Sequence, residues 1–369
     1  MNEILLVYGG DSVEHEISII TALQISNKYS GKYKLLLCYH KDGEFFINKN
    51  LNKMDFYKNN IFKSKDKIEF KANKNFIKKQ NKKIFFDAVW IIEHGKNCED
   101  GTLYSFFKTL NINVIAENIY SAAIGHDKAL AKKLACVDTL PFFEMTKNEY
   151  NNSKNNLLNE IFKIDFPAII KPSDLGSSIG VYTVNTIEEF IEKCDALFNL
   201  TQKIIVERQL TNFEEYNIAL YKKNNIYVLS EIEKVSSNRM LSYEDKYVNE
   251  EKSLIGLKKE LPAKLSSSLK KEIENSAITI YKNLKSNYVV RIDFLFDKTN
   301  SKLYFNEINN IPGSLAYYLF DYKGINLNEL IDDIIDEGLY QIDDEKQILT
   351  YFENNIFKYD KIYNSKNNK

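Results

Sequence analysis

A chain of 369 residues is long enough for two or three domains with a large core. Its 44% hydrophobic and 13% aromatic content is that of a globular protein and excludes a disordered one. A net charge of −1 leaves no global basic field to draw in nucleic acid, and no segment reaches the about 18 apolar residues of a membrane helix.

In chain order, Ile4-Leu5-Leu6-Val7-Tyr8 reads as a buried strand, too short and wrongly flanked for a signal peptide, so a reducing cytoplasm is expected. It ends at the tight turn Gly9-Gly10, after which Asp11 to Glu16 opens a helix running through Ile19, Ile20 and Leu23. Strand, glycine turn and acid-rich helix start make the beginning of an α/β unit. The turn is neither GxGxxG nor a Walker loop, so it gives no dinucleotide or P-loop site. A second strand covers 34–39, with a hairpin turn at Asp42-Gly43. Residues 48–83, rich in Asn and Lys, are expected to form a weakly patterned surface excursion, with the run Lys78 to Lys83 on a solvated face. Phe85 to Ile92 is another apolar strand, ending in Glu93-His94-Gly95 and then Glu99-Asp100-Gly101-Thr102. In open α/β sheets that carboxyl edge is where ligands bind. A helix over 103–110 and a strand near 113–116 complete a first domain, 1–118.

One helix is expected from Ala122 to Val137, carrying Lys128. The strand Phe166–Pro172 carries Lys171 and leads into Ser173-Asp174-Leu175-Gly176-Ser177-Ser178-Ile179-Gly180-Val181 and a second strand. Such a Gly/Ser loop offers backbone N–H groups and hydroxyls to an anion; no helix follows, so it reads as a flap over phosphates or as a flexible hairpin turn. A helix over 187–197 and strands over 203–207, 216–221 and 226–233 follow. The polar segment from Ser236 to Gly256 is a loop of a length that is usually functional or disordered. Helices over 263–284 and 325–339 flank the last hairpin, and the tail beyond Tyr363 is expected to be disordered. The cysteines Cys38, Cys98, Cys136 and Cys194 are scattered without a CxxC pair, which argues against a zinc ribbon or a disulfide framework. No histidine pair has HExxH spacing, which argues against a zinc hydrolase.

The hairpin itself spans Tyr288 to Gly313. Strand side chains alternate, so Arg291 and Asp293 share one face, Glu307 and Asn309 share one face of the next strand, and Val290, Ile292, Phe294 and Ile308 lie behind. The patch is either a solvated acidic face or a place where hard oxygen ligands hold Mg²⁺.

The order of these pieces resembles the ATP-grasp superfamily and, within it, the D-alanine–D-alanine ligase family, over residues 3 to about 340. The resemblance rests on Glu14-His15-Glu16-Ile17-Ser18, His94-Gly95 through Thr102, Lys171-Pro172 through Gly180, Arg291-Ile292-Asp293, Asn306-Glu307-Ile308-Asn309 and Pro312-Gly313. It implies an α/β (α+β) three-domain ATP-grasp fold: a Rossmann-like N-terminal domain over 1–118, a central lobe over 119–210, a C-terminal lobe over 211–345 and an extension over 346–369. The implied reaction activates the carboxylate of one D-alanine with ATP as an acyl phosphate, which the amine of a second D-alanine attacks. By the same resemblance Asp293, Glu307 and Asn309 are ligands of two Mg²⁺ ions, for which Mn²⁺ can substitute, and Lys128 and Lys171 hold phosphates beneath a flap carrying Ser177 and Ser178. Glu207, Arg208, Leu210 and Glu215 match nucleotide positions, Lys246 and Tyr247 a mobile loop, and Tyr247 with Ser177 partners of the first substrate. Glu14 receives that substrate's ammonium, and Arg291 with the Gly313 N–H stabilises the tetrahedral intermediate. His94, Ser314 and Leu319 stand near the expected second-substrate site, and Glu99 is a further candidate in the N-terminal domain. Members of this family often form homodimers through the N-terminal domain.

Four positions depart from the family pattern. Cys98 replaces a usual glycine, Arg208 replaces a common lysine that is not an equivalent donor, and Glu117–His126 lacks a glycine-serine run. Tyr318 stands where a serine commonly holds the second carboxylate. Either Ser314 or a backbone group takes that part, or the second substrate differs, which leaves a related carboxylate–amine ligase as the alternative. A nucleotide-binding protein without catalysis would show damaged ligands, yet Lys128, Lys171, Asp293, Glu307 and Asn309 are all present.

Overall fold

The computed structural model describes residues 2–59, 62–152, 166–235 and 260–348. Among them the strands form three sheets. The first contains β1 (Glu3–Gly9), β2 (Lys34–Lys41), β3 (Glu44–Phe46), β4 (Lys67–Phe70), β5 (Phe76–Lys79), β6 (Lys82–Phe85), β7 (Ala88–Ile91) and β8 (Val114–Ile115), in the order β6-β5-β4-β3-β2-β1-β7-β8. Its helices are α1 (His15–Lys28), α2 (Met54–Lys58) and α3 (Thr102–Thr109). β2-β1-β7-β8 pair in parallel, as strands buried on both faces do: Ile4 to Tyr8 and Ala88 to Ile92 are at most 1% exposed.

Residues 48–83 are more ordered than their composition suggests. β4, β5 and β6 extend the sheet beyond β3 in successive antiparallel pairs, with Ile68 and Ile77 buried while lysines cover the outer side. Phe70 packs edge-on against Phe45 and Phe107 at ring distances of 5.0 and 4.9 Å. The lysine-rich outer face masks the period-two pattern.

The single helix expected over 122–137 is two helices, α4 (Ile119–His126) and α5 (Lys128–Leu134). Asp127 adopts an extended backbone (φ −89°, ψ 102°), and its carboxylate accepts the N–H groups of Ala129 and Leu130, capping α5. The same carboxylate accepts from the Ser173 hydroxyl and the Lys203 ammonium, so tertiary contacts fix the break.

The second sheet runs β11-β10-β12-β9, where β9 is Phe142–Thr146, β10 Ala168–Pro172, β11 Tyr182–Val184 and β12 Lys203–Arg208. Its helices are α6 (Lys147–Asn152) and α7 (Ile187–Leu197). The third sheet holds β13 (Phe213–Lys223), β14 (Ile226–Leu229), β15 (Glu233–Val235), β16 (Val290–Asp297) and β17 (Lys302–Asn309), with β13 at its centre against β14, β15 and β16. The strand expected over 226–233 breaks at Ser230, whose hydroxyl accepts the Ala219 N–H. Helices α8 (Ser267–Asn283), α9 (Tyr317–Asp321) and α10 (Leu327–Glu345) complete the description. α10 packs back on the first sheet: Leu330, Ile331 and Ile335 share one buried cluster with Ile4, Trp90 and Ala219. The Trp90 indole N–H donates to the Tyr288 hydroxyl at 2.5 Å. The carboxyl edge of the first sheet is thereby held against the hairpin of the third. The loop around Tyr247 and the tail beyond Tyr363 lie outside the described residues.

Candidate active site

The β16–β17 hairpin forms in the register its alternation dictates. Arg291 stands opposite Asn309 and Asp293 opposite Glu307. A bulge between Asp293 and Phe294 leaves Asn306 as an extra residue on β17, so Asn306, Glu307 and Asn309 all reach one cavity. Asn217 stands opposite Asp293 on β13 and Glu233 opposite Asn217 on β15, so the polar row Glu233–Asn217–Asp293–Glu307 crosses four strands. Directly opposed residues share a face, and Ile218, Ile292 and Ile308 fill the other.

Arg291 closes a two-pronged ion pair on Asp293, Nε to Oδ1 at 2.7 Å and Nη2 to Oδ2 at 2.8 Å. Burial works against the guanidinium charge, but Asp293 outweighs it and raises the pKa. Asn309 Nδ2 donates to Asp293 Oδ2 at 3.1 Å. Among the described residues no group of three or more His, Cys, Asp or Glu could hold a metal ion. The oxygen set is two carboxylates and one amide. That fits Mg²⁺, which keeps waters and is held by one or two carboxylates plus substrate phosphates, and does not fit an all-protein cage.

Above this floor a cavity of about 220 Å³ is lined by Glu14, His94, Lys128, Lys171, Ser177, Ser178, Glu215, Arg291, Glu307, Asn309 and Gly313, all of which the sequence singles out. Lys128 begins α5; its ammonium donates to the Leu175 carbonyl at 2.7 Å and lies 3.7 Å from Glu307 Oε2. Ser177 (φ 54°), Ser178 (φ 59°) and Gly180 (φ 71°) have left-handed backbones, the kind of turn that presents successive N–H groups to an anion. Ser177 donates its hydroxyl to Glu14 Oε1. A Cβ on Gly176 would lie 3.0 Å from Glu14 Oε2, so glycine there lets flap and carboxylate approach without either giving way. Burial, then the Glu99 charge, pushes the Glu14 carboxyl above its ordinary value.

His94 is buried, with Nε2 3.2 Å from the Thr21 hydroxyl and Nδ1 3.5 Å from Glu99 Oε1. Thr21 also accepts the Ser314 N–H at 3.2 Å, and the Ser314 hydroxyl donates to Gln24 Oε1. Ser314, Leu315 and Ala316 form a left-handed turn that ties the segment after Gly313 to α1. The Ser314 hydroxyl is thus engaged by the N-terminal unit, and the Leu319 side chain is fully buried in the shared core. Tyr318 donates its hydroxyl to Glu233 Oε2 at 2.9 Å, at the far end of the polar row.

Three expected nucleotide positions, Glu207, Arg208 and Leu210, do not line the cavity. The Glu207 side chain is buried between Lys171 Nζ at 2.5 Å and Lys132 Nζ at 2.8 Å. Burial alone would raise its pKa, but the two ammonium groups outweigh it and hold the carboxyl down to about 2. Arg208 is exposed at the end of β12, Leu210 follows half-buried, and Glu215 lines the cavity from β13. Lys132 escapes sequence reading because it stands among the lysines of a plain helix; its i,i+4 relation to Lys128 is the one available signal. Lys246 and Tyr247 lie outside the described residues.

Comparison with known proteins bears on the whole chain. Residues 3–116 match the family model described as D-ala D-ala ligase N-terminus, and residues 132–336 match D-ala D-ala ligase C-terminus. The D-alanine–D-alanine ligase of Thermosipho africanus is 33% identical over 361 residues, covering 95% of this chain and 97% of the relative. That of Thermosipho melanesiensis is 34% identical over 376 residues, covering 97% and 99%. Among solved structures, the D-alanine-D-alanine ligase from Coxiella burnetii superposes with a TM-score of 0.79 at 21% identity, over 94% of this chain and 96% of that one, which speaks for the fold.

Proposed function

The chain belongs to the D-alanine–D-alanine ligase family, and from that premise we propose how its own residues carry out the reaction. The enzyme is an ATP-dependent ligase that joins two D-alanines into D-alanyl-D-alanine for the cell wall.

Phosphoryl transfer to a carboxylate brings anions together, so fixed positive charge and oriented donors must offset them. Lys128, Lys171 and the flap N–H groups at Ser177 and Ser178 supply these for the ATP phosphates. Glu215, with Arg208 and Leu210 at the end of β12, receives the nucleoside, and for Glu207 the backbone alone is left to meet it. Asp293, Glu307 and Asn309 would hold the Mg²⁺ ions, which offset phosphate charge and polarise the phosphoryl group, and Mn²⁺ has the same oxygen preference. The first D-alanine places its ammonium on Glu14, oriented by Ser177, and its carboxylate toward Arg291. One carboxylate oxygen takes the γ-phosphoryl group and ADP leaves. The second D-alanine, beside His94 and the Ser314–Leu319 turn, attacks the acyl carbon through its neutral amine. That attack forms the C–N bond, Arg291 and the Gly313 N–H face the developing oxyanion, and collapse of the intermediate breaks the C–O bond, with the amine proton leaving on the released phosphate and the amide completed. Lys246 and Tyr247 complete the closure that keeps water off the acyl phosphate.

The same proposal takes 1–118, 119–210 and 211–345 as the three folding units, places the enzyme in the cytoplasm where ATP is supplied, and takes a homodimer as its assembly. No described helix is long and apolar enough to cross a membrane.

The observation that carries this reading is the meeting of Glu14, the Ser177 flap, Lys128, Lys171 and Glu307 in one cavity. Incubation with ATP, Mg²⁺ and D-alanine should yield ADP, phosphate and D-alanyl-D-alanine in equal amounts; no D-alanine-dependent phosphate would overturn it. The Tyr318–Glu233 hydrogen bond favours one second reading, an acceptor other than D-alanine. A screen of amine acceptors against a fixed D-alanine donor separates the two.

A further inference from the structure

Lys128 and Lys132 stand one turn apart on the same side of α5. Lys128 reaches up to the flap, while Lys132 ends underneath it, donating to the Phe305 carbonyl at 3.0 Å and pairing with Glu207 Oε1 at 2.8 Å. The other oxygen of Glu207 takes Lys171 at 2.5 Å, and Lys171 also lies 3.5 Å from Asn306 Oδ1 on the bulge. The three side chains are 0%, 3% and 3% exposed for Lys132, Glu207 and Lys171. Lys171 lines the cavity and Lys132 does not.

The charge count gives this arrangement its meaning. A buried lysine–glutamate pair alone would be neutral, with the ammonium drawn onto its carboxylate. Two ammonium groups share the one carboxylate of Glu207, and of the two only Lys171 lines the cavity. A buried ion network is poor evidence for stability, since apolar side chains of similar volume often do as well, so its presence points to another role.

We propose that Lys132 is a positioning residue for ATP binding: by taking one oxygen of Glu207, it keeps that carboxylate from holding Lys171 alone and leaves the Lys171 ammonium available to turn toward the nucleotide phosphates. Burial pulls Lys132 toward the neutral form, Glu207 opposes this and the Lys171 charge adds to it, while on Lys171 burial is outweighed by Glu207 and Glu307. The inference rests on the reading of Lys171 as a phosphate ligand.

Steady-state kinetics of the full chain test it. Lys132→Met should raise the KM for ATP about tenfold, the scale of one lost charged contact, with the KM for D-alanine unchanged. Lys132→Arg should restore it. Adding Glu207→Gln to Lys132→Met should also recover ATP affinity, because the carboxylate that captures Lys171 is gone; a purely structural role would give additive damage. Thermal melts accompany each variant. If Lys132→Met does not fold, the double variant Lys132→Met with Glu207→Gln, which removes the buried pair as a unit, decides: ATP affinity close to wild type supports the proposal, and weaker ATP affinity overturns it. A wild-type KM for ATP in Lys132→Met also overturns it. Absence of D-alanine-dependent turnover in the wild type would instead remove the underlying functional reading.

Discussion

Ser177 donates a hydrogen bond to Glu14 across 163 positions of the chain, joining the phosphate flap to the first helix of the N-terminal unit. In the proposed reaction one flap therefore reports on both substrates, its backbone toward the phosphates and its side chain orienting the carboxylate that would receive the ammonium. Ser177→Ala is expected to raise the KM for D-alanine about tenfold, as loss of one hydrogen bond to a charged group would. Glu14→Gln, which removes the charge itself, should cost more in kcat/KM, with melting temperatures close to wild type for both.

In its proposed role Glu14 would also set an acid limit on activity. Burial and the neighbouring Glu99 raise its pKa, so it loses charge, and with it the ammonium site, at a higher pH than an ordinary glutamate. Activity at low D-alanine should fall on acidification with an apparent pKa above the ordinary 4.5. Glu99→Gln removes a raising charge, so the acid limb should move to lower pH; an unmoved limb in rate profiles would break the link between these carboxylates.

The two metal-side carboxylates should differ when neutralised. Glu307→Gln is expected to lower turnover at least about a hundredfold with little change in Tm, in line with losing preorganised charge at a phosphoryl transfer site. Asp293→Asn should abolish turnover and also destabilise, by roughly 3 kcal/mol, because it leaves Arg291 without its buried partner. Turnover and urea unfolding measured side by side distinguish the two.

Far from the chemistry, Glu117 controls stability against pH. Burial pushes its carboxyl up to about 8, although the N–H groups of Asn287 and Asn118, 3.0 and 3.2 Å from its Oε1, favour the charged form. Because the folded pKa lies above the ordinary 4.5, the folded state holds the proton more tightly. The stability this contributes is complete below about 4.5 and is lost as pH rises through about 8. Glu117→Gln should remove that decline, giving a higher urea midpoint than wild type at pH above about 8 and a similar one at acid pH.

Trp90 is the one tryptophan of the chain, and its indole N–H is satisfied by Tyr288 across the junction of the first and third sheets. Tyr288→Phe strands that buried donor and should cost about 1–3 kcal/mol, read by tryptophan fluorescence during unfolding.

Much of this site was legible because it is written in local periodicity. The two-residue spacing of Arg291 with Asp293, and of Glu307 with Asn309, fixes which side chains share a face, and the hairpin has that register. The sequence did not reveal partners made by distant chain segments. Asp127 ends one helix and starts another because Ser173 and Lys203 hold its carboxylate, and nothing near Asp127 says so. Lys132 and Glu207 are an ordinary helix lysine and a strand glutamate until β10 and β17 bring Lys171 and Phe305 beside them. The strands β4 to β6 were hidden by lysines on a face that water covers.

The central claim is that this cavity transfers the γ-phosphoryl group of ATP to a D-alanine carboxylate before the peptide bond forms. The most direct measurement uses D-alanine labelled with ¹⁸O in its carboxylate, with ATP and Mg²⁺, and mass spectrometry of the released phosphate. Collapse of an acyl phosphate must carry one carboxylate oxygen away with the phosphorus, so the expected result is one ¹⁸O per phosphate, matched one to one with dipeptide. Phosphate released without label would mean that water, not the substrate carboxylate, accepts the phosphoryl group, and would contradict the mechanism.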